Sequence, residues 1–236
     1  MEYQYEWQLC QFYLTIIKMN REHIVNYKKL KYEIDSIQTK ENRNIKILVV
    51  SKNQSIDKII DLSSLGHIDF AENYVDEAIK KIEMINNDLL CWHFIGKIQS
   101  NKIKKICINF DWIHTISDLN HAIKLDKFCK DLKKIMNVCI QINIDEEDNK
   151  NGIMIKEFDR FYNEISRFKY LKLRGIMSIP SQYDKNCSSF REMGQLYNQY
   201  NELDVLSMGM SGDYLAAIEN NANMIRIGQY IFGKRT

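Results

Sequence analysis

The sequence is poor in the residues and patterns that mark several large classes of protein. It has one proline, Pro180, and nine glycines in 236 residues, and it contains no low-complexity tract, so a collagen-like or disordered chain is excluded. Its longest apolar runs, such as 47–50, are far shorter than the ~20 residues that cross a bilayer. We expect no signal peptide either, since Glu2 and Glu6 stand where a basic region would be. We therefore expect a cytoplasmic protein without membrane association.

An excess of charge of one sign is lacking too. The chain has 33 Lys and Arg against 31 Asp and Glu, a net charge of +2, which argues against binding nucleic acid through a general electrostatic field. The six cysteines form no CxxC pair and the five histidines show no ligand spacing, so we expect reduced thiols and no metal site. Hydrophobic residues make up 45% of the chain, enough for a globular core.

The sequence does have a regular alternation of strand and helix patterns. Apolar residues between 3 and about 40 recur near the helical period, and short β-branched or apolar runs with intervening helical patterns follow. The predicted strands are 46–50, 67–71, 91–95, 112–116, 137–144, 172–178, 204–207 and 223–227. This order predicts a single (β/α)8 TIM barrel domain over 1–236, with a leading helical region at 1–44 and the barrel at 45–236. A doubly wound open sheet is the alternative.

The loops after the seventh and eighth predicted strands have the composition of an anion site. In a barrel the active face lies at the C-terminal ends of the strands, and these two loops commonly bind phosphate. Ser207 and Ser211 supply hydroxyls, while Gly209 and Gly228 let backbone N–H groups approach an anion closely. Either loop alone is more typical of a tight turn. Together, on neighbouring strands, they make a phosphate site an equal alternative.

Lys52 follows the first predicted strand directly, so its side chain can reach the barrel mouth. A partly desolvated lysine amine is a nucleophile. An amine that faces a phosphate site suits an aldehyde-bearing phosphate cofactor, namely pyridoxal 5'-phosphate (PLP) held as a Schiff base. From its position alone, an ordinary exposed lysine is the commoner interpretation.

Three further polar residues lie at or near strand ends. Asn73 is placed to cap the following helix or to reach a cofactor ring. Arg226 lies at a strand end, and if it is partly buried near a pocket its charged guanidinium must be paired with an anion or with hydrogen-bond acceptors. His93 lies within the third strand, where a hydrogen-bonded core histidine is the favoured interpretation.

Six motifs in order along residues 48–235 together resemble a known family. They are Val50–Ser51–Lys52; Glu72–Asn73–Tyr74; Trp92–His93–Phe94–Ile95–Gly96 with Gln99–Ser100–Asn101–Lys102; Arg174–Gly175–Ile176–Met177 with Ile179–Pro180; Leu206–Ser207–Met208–Gly209–Met210–Ser211; and Arg226–Ile227–Gly228 with Ile231–Phe232–Gly233. The chain resembles the YggS/PROSC family of pyridoxal phosphate homeostasis proteins, which is similar to the N-terminal barrel domain of alanine racemase.

The resemblance implies a role for each of ten residues. Lys52 would carry PLP as an internal aldimine, and Arg226 would lie beside the pyridine nitrogen. Asn73 and Ser178 would line the pocket. The residues implied in holding the phosphate are Ser207, Met208, Gly209, Ser211, Gly228 and Gln229.

The resemblance also implies a PLP carrier in cofactor homeostasis and amino-acid balance, without established turnover. A cation beside the pyridine nitrogen disfavours its protonation, which makes the ring a poorer electron sink. The expected partners are PLP and PLP-dependent apoenzymes, and the expected state is a monomer. One alternative is an amino-acid racemase, with Tyr74 or Lys150 as the second acid/base. Another is an interaction module that uses the helix at 3–40, with Tyr3, Tyr5 and Trp7.

The sequence departs from the family pattern at two positions near the expected site. Ala71 stands where the family usually has glycine, a small change. Gln229 replaces a small hydroxyl residue at the phosphate loop, so one side-chain hydrogen bond is lost or lengthened. We expect binding to persist, weakened by about 1 kcal/mol.

Overall fold

A computed structural model of the chain describes residues 21–147, 149–181 and 187–234. The part of the predicted leading helix at 3–20, with Tyr3, Tyr5 and Trp7, lies outside the described residues, as does Cys10. The five cysteines within them are free thiols, as the sequence predicted. Of the helices in the described ranges, none has the length and hydropathy that crossing a membrane requires.

Eight parallel strands pair in sequence order and close into a barrel. They are β1 Lys46–Val50, β2 Asp69–Glu72, β3 Cys91–Phe94, β4 Trp112–Ile116, β5 Met136–Ile142, β6 Leu171–Ser178, β7 Val205–Ser207 and β8 Met224–Ile227. The ring closes between β8 and β1, where Leu48 pairs with Arg226. The barrel prediction is confirmed, and the closed ring excludes a doubly wound open sheet.

Helices follow the strands as the alternation predicted. Those in the described residues are α1 Glu22–Glu41, α2 Ile56–Ser64, α3 Val75–Ile85, α4 Ile103–Asn109, α5 Leu119–Asp131, α6 Phe158–Ile165, α7 Ser188–Tyr197, α8 Tyr214–Glu219 and α9 Gln229–Phe232, with 3-10 turns at Ser100–Lys102 and Ile155–Glu157. The bounds of β1 and β4 match the prediction, and those of the other strands differ from it by one or two residues at an end. The fifth strand ends early because Asn143 turns away from β6 and its amide donates to the carbonyl of Ile153.

Side chains alternate between the two sides of each strand. On β1, Ile47 and Val49 pack toward the helices, whereas Leu48 and Val50 fill the barrel interior. The interior apolar residues are Leu48, Val50, Ala71, Trp112, Cys139, Met177, Val205 and Met224. Buried polar residues lie on the same inward side of their strands. Asp69, His114 and Arg226 are each two positions from a member of this set, and His93 is two positions from Cys91 and Ile95, which pack against it. The barrel interior therefore contains a polar path as well as an apolar core.

Helix α1 completes the outer layer beside β8. The helix that follows β8 has only four residues, and α1 packs against both it and α2. The side-chain amide of Asn26 donates to the carbonyl of Ile231, and the guanidinium of Arg43 donates to the carbonyls of Ile218 and Ala222. Packing of α1 on the barrel agrees with one domain, although the division at residues 44 and 45 stays a prediction.

Candidate functional site

A cavity of about 540 Å³ opens at the C-terminal ends of the strands. This is the end at which barrels carry their functional loops. Six of the predicted site residues line it: Lys52, Asn73, Ser211, Arg226, Gly228 and Gln229. The sequence prediction gave no role to the other lining residues, which are Val50, Ile95, Met177, Ile179, Met210, Gly212 and Asp213. The cavity thus joins the lysine after β1 to the loops after β7 and β8.

The backbone on each side of Lys52 is held by hydrogen bonds. The amide of Ser51 donates to the carbonyl of Ala71, and the Ser51 hydroxyl donates to Glu72 Oε1 over 2.7 Å. The amide of Asn53 donates to Glu77 Oε1 over 2.7 Å. The short loop that carries Lys52 is therefore anchored to β2 and α3.

A buried ion pair supports this loop from behind. Lys81 Nζ on α3 lies 2.7 Å from Glu72 Oε1 and 2.7 Å from the carbonyl oxygen of Ser51. Burial raises the pKa of the Glu72 carboxyl, while Lys81 and the Ser51 hydroxyl oppose that rise. Sequence periodicity gave no sign of this role, since a lysine in the middle of a helix usually faces solvent.

Asn73 lies at the start of the β2–α3 loop, where its side chain lines the cavity. Its Oδ1 atom is buried and has no hydrogen-bond partner among the described residues. The N-cap prediction for Asn73 is wrong, since Tyr74 occupies that position. Gly96, after β3, packs tightly against the Asn73 backbone: a Cβ there would lie 2.0 Å from the Asn73 carbonyl oxygen. The absence of a side chain at Gly96 therefore sets the position of Asn73.

Arg226 projects from β8 into the barrel, where only 4% of the residue is exposed. Its Nη1 donates to the Ser207 carbonyl over 2.7 Å and to Ser207 Oγ over 3.0 Å, and its Nη2 donates to the Ser178 carbonyl over 2.8 Å. Burial lowers the pKa of Arg226 to about 10, against an opposing contribution from Asp213, so the guanidinium stays charged at neutral pH. The arginine is paired, as predicted, but by neutral oxygens.

Ser207 and Met208 lie behind the cavity, not in its lining. The Ser207 hydroxyl contacts Arg226 and also His114 Nδ1, at 3.1 Å, inside the barrel. Met208 is fully buried, and its amide donates to the carbonyl of Met224. The prediction that the Ser207 hydroxyl faces a phosphate is corrected, because strand alternation turns that side chain into the interior.

Gly209 has a φ of +91° directly beneath α8. A Cβ there would lie 2.6 Å from the Ala217 Cβ, so the close packing of this loop against the helix requires glycine. Its carbonyl accepts the Arg226 amide. Glycine at this position lets the loop turn toward the cavity.

Ser178 ends β6 beside Arg226. Its carbonyl accepts from the guanidinium, and its buried Oγ has no partner in the part of the chain that the structure describes. Orphaned buried polar atoms are rare in folded proteins and are usually satisfied by a ligand or water. Ser178 Oγ and Asn73 Oδ1 are two such atoms near one cavity.

The loop after β7 and the start of α9 meet in the lining of the cavity. Ser211 Oγ accepts the amide of Tyr230 in the first turn of α9 over 3.0 Å. Gly228 precedes that turn, and Gln229 begins it. Asp213 Oδ1 accepts the amide of Met210, which folds the loop back on itself. Two small polar loops therefore converge where the sequence predicted an anion site.

Comparison with known proteins assigns the chain to a family. A family model described as alanine racemase, N-terminal domain, matches residues 25–236. A pyridoxal phosphate homeostasis protein of Buchnera aphidicola is 42% identical over 219 residues, covering 88% of this chain and 96% of the relative. The chain belongs to the pyridoxal phosphate homeostasis protein family. One from Vibrio alginolyticus is 37% identical over 94% of this chain and 99% of its own length.

Among solved structures, the chain is similar to PipY of Synechococcus elongatus PCC7942. That protein, solved with PLP bound, is 30% identical, with a TM-score of 0.73 over 80% of this chain and 92% of PipY. Alanine racemase of Clostridium difficile 630 matches with a TM-score of 0.69 at 17% identity, covering 91% of this chain and 56% of the racemase. The second likeness shows the fold alone.

Proposed function

We propose that this protein binds PLP as a Schiff base on Lys52 and acts as a carrier of the cofactor in PLP homeostasis and amino-acid balance. The observation that carries the proposal is the lining of a single cavity by Lys52, Arg226, Ser211, Gly228 and Gln229. An amine, a cation and an anion-binding turn are the groups that an aldehyde-bearing pyridine phosphate needs. PipY, a relative with the same fold, is described with PLP bound.

The residues present fit the cofactor. The volume of about 540 Å³ suits a small molecule. Asn73 Oδ1 and Ser178 Oγ are buried polar atoms without partners among the described residues, so a bound ring with polar substituents would satisfy them. Arg226 supplies a positive charge to the cavity lining at neutral pH.

Lys52 would hold PLP through its side-chain nitrogen, bonded to the former aldehyde carbon. The aldehyde oxygen would be released as water, with both protons supplied by the amine, so attachment needs no further reactant. Ser211, Gly228 and Gln229 would hold the phosphate, with Gly209 shaping the loop. In the bound state PLP supplies electron-withdrawing chemistry at this lysine.

Carriage is favoured over racemisation by the chain's own residues. A charged arginine beside the pyridine nitrogen disfavours protonation of the ring. The two residues suggested as a second acid/base do not line the cavity: Tyr74 is 56% exposed, and Lys150 is paired with Asp145 at 2.8 Å and Glu147 at 3.0 Å. The racemase alternative stays open because the fold is shared with alanine racemases. Binding to apoenzymes, a monomeric state and a cytoplasmic location stay predictions.

Borohydride reduction of the protein with excess PLP tests the proposal. We expect mass spectrometry to find one phosphopyridoxyl group, on Lys52. The variant Lys52→Ala should lose the visible absorbance and the label, whereas Lys150→Ala should keep both. Wild-type protein without cofactor absorbance, or with its label on another lysine, would contradict the proposal.

A second measurement separates carriage from racemisation. The protein loaded with PLP is incubated with amino acids in deuterium oxide, and exchange at the α carbon is followed by NMR. We expect no exchange above that of free PLP. Exchange that is lost in Lys52→Ala would support the racemase alternative.

A further inference from the structure

A continuous chain of hydrogen bonds crosses the barrel interior behind Arg226. Arg226 Nη1 lies 3.0 Å from Ser207 Oγ, which lies 3.1 Å from His114 Nδ1. His114 Nε2 lies 3.0 Å from His93 Nδ1, and His93 Nε2 lies 3.1 Å from Asp69 Oδ1. All five residues are buried. The chain joins five strands, β2, β3, β4, β7 and β8, through side chains alone.

The chain of hydrogen bonds begins at the opposite end of the barrel from the cofactor cavity. Asp69 is the first residue of β2, and the strands are parallel, so its side chain lies at the N-terminal end. It lines a second cavity there, of about 220 Å³, together with Lys46. Lys46 Nζ, from a 40% exposed side chain, contacts Asp69 Oδ1 over 3.1 Å. The path therefore runs from a partly solvated ion pair to the guanidinium in the cofactor site.

The charged groups at the two ends of the hydrogen-bond chain determine which atom donates in each of its bonds. Burial opposes ionisation of Asp69, but His93 and Lys46 outweigh it and lower its pKa to about 2, so Asp69 is a carboxylate that only accepts. His93 must then donate from Nε2 and accept at Nδ1. His114 in turn donates from Nε2 and accepts at Nδ1, the position that the Ser207 hydroxyl reaches.

The opposite end agrees with this direction. Arg226 has donors only, so Ser207 Oγ accepts from the guanidinium and its single hydrogen remains for His114. Burial lowers the pKa of both His93 and His114, which keeps both rings neutral, as this arrangement requires. Each hydrogen bond along the path then joins one donor to one acceptor, and the order contains no conflict.

We propose that Asp69, His93 and His114 are positioning residues that hold the guanidinium of Arg226, through Ser207, in its orientation toward the PLP ring. The role given to these residues rests on the proposed function, whereas their hydrogen bonds form in the protein without cofactor. Arg226 has three oxygen acceptors, two carbonyls and the Ser207 hydroxyl, and only the hydroxyl can rotate. The histidine pair fixes that rotation, so a residue at the far end of the barrel acts on the cofactor site.

Hydrogen bonding accounts for the Asp69 cluster better than metal binding does. The donor atoms of Asp69, Cys91 and His93 lie within 4.8 Å of one another, a spacing that metal ligands share. The ammonium of Lys46 contacts the same carboxylate, and a cation there opposes a second cation. Burial also raises the pKa of the Cys91 thiol to about 12, so the sulfur is protonated.

NMR of the protein without cofactor tests the direction of the chain. Long-range proton–nitrogen correlation spectra of protein with isotope-labelled histidine ring nitrogens should show His93 and His114 as neutral rings with the proton on Nε2. The variants His93→Gln and His114→Gln assign the signals. An imidazolium at neutral pH, or a proton on Nδ1 of either ring, would overturn the proposal whether or not PLP binds.

Cofactor binding tests the positioning role. We expect His114→Leu to weaken PLP affinity about tenfold and to shift the visible absorption maximum of the bound cofactor, because the Ser207 hydroxyl, without its bond to His114, no longer holds the charged guanidinium of Arg226 in one orientation. His114→Gln, which keeps an acceptor and a donor, should restore much of both. His23→Leu removes a buried histidine that pairs with Asp61 on the outer layer, and should change neither.

The outcomes distinguish this inference from the proposed function. If wild-type protein shows no cofactor absorbance, the proposed function fails while the NMR result still decides the hydrogen-bond chain. If wild-type protein binds PLP and His114→Leu matches it in affinity and absorption maximum, the positioning role is wrong.

Discussion

At the scale of single residues, position decides what each polar side chain does. Ser207 ends β7 and Ser211 lies in the loop that follows, yet Ser211 lines the cavity and Ser207 lies behind Arg226. The difference arises because β7 ends at Ser207, whose side chain still follows the inward alternation of the strand. A motif therefore predicts which loop forms a site more reliably than which atoms face it.

Gln229 offers a test at the phosphate end of the site. It is the first residue of α9 and lines the cavity. We expect Gln229→Thr to tighten PLP binding by about 1 kcal/mol, roughly fivefold, because a short hydroxyl there adds one hydrogen bond to the phosphate. Absorbance titration of the apoprotein measures the affinity. Gln229→Val, which has the shape of threonine without the hydroxyl, should show no gain, and equal affinities for Thr and Val would contradict the explanation.

At the scale of elements, α3 anchors the loop that bears Lys52. Lys81 reaches from the middle of that helix to Glu72 on β2 and to the Ser51 carbonyl after β1. The helix thus holds this loop through the buried ammonium group of Lys81 and through Glu77, which accepts the amide of Asn53. Its amphipathic pattern predicted the helix itself but not this contact, which depends on how α3 packs over the two strands.

Removal of the ammonium should destabilise the fold. We expect Lys81→Met to lower the free energy of unfolding by about 3–5 kcal/mol, since it leaves the Glu72 carboxylate buried without its cation. The double variant Glu72→Gln with Lys81→Met should recover part of that loss, because the buried charge is removed as well. Urea denaturation of the three proteins measures the effect. A double variant no more stable than Lys81→Met would contradict this explanation and place the loss in the packing of Lys81 or in its contacts with the Ser51 carbonyl and Glu77.

At the scale of the whole molecule, buried histidines make stability depend on pH. Burial lowers the pKa of four of them, His23, His67, His93 and His114. Each takes up a proton on unfolding once the pH falls below the ordinary value of 6.5. Stability is therefore greatest above that value and declines as the pH falls toward the folded pKa values.

The expected slope is about 1.4 kcal/mol per pH unit for each histidine that stays neutral in the fold. Asp69, with its lowered pKa of about 2, adds a further loss below 3.8. Urea unfolding between about pH 8 and about pH 5 measures the slope. His114→Gln should reduce the slope by the contribution of one histidine, about 1.4 kcal/mol per pH unit. A free energy of unfolding that stays constant over this range would contradict neutral buried histidines.

The sequence by itself determined the order of elements and the end of the barrel that carries the site. Strand and helix periods are local, so β1 to β8 could be predicted to within a few residues. Gly228 follows β8 directly and Lys52 follows β1 after one residue, and parallel strands bring such positions to one face. The motifs around them also indicated the family and its cofactor.

Only the tertiary structure decided which side chains meet. The contacts of Arg226 with Ser207 and Ser178, of Lys81 with Glu72, and of His93 with His114 join elements that lie far apart in the chain. Strand alternation in the sequence places Asp69 and His114 on the inward side, but it does not say that they belong to one hydrogen-bonded path. That path depends on the closure and stagger of the whole barrel, which no local pattern of residues encodes.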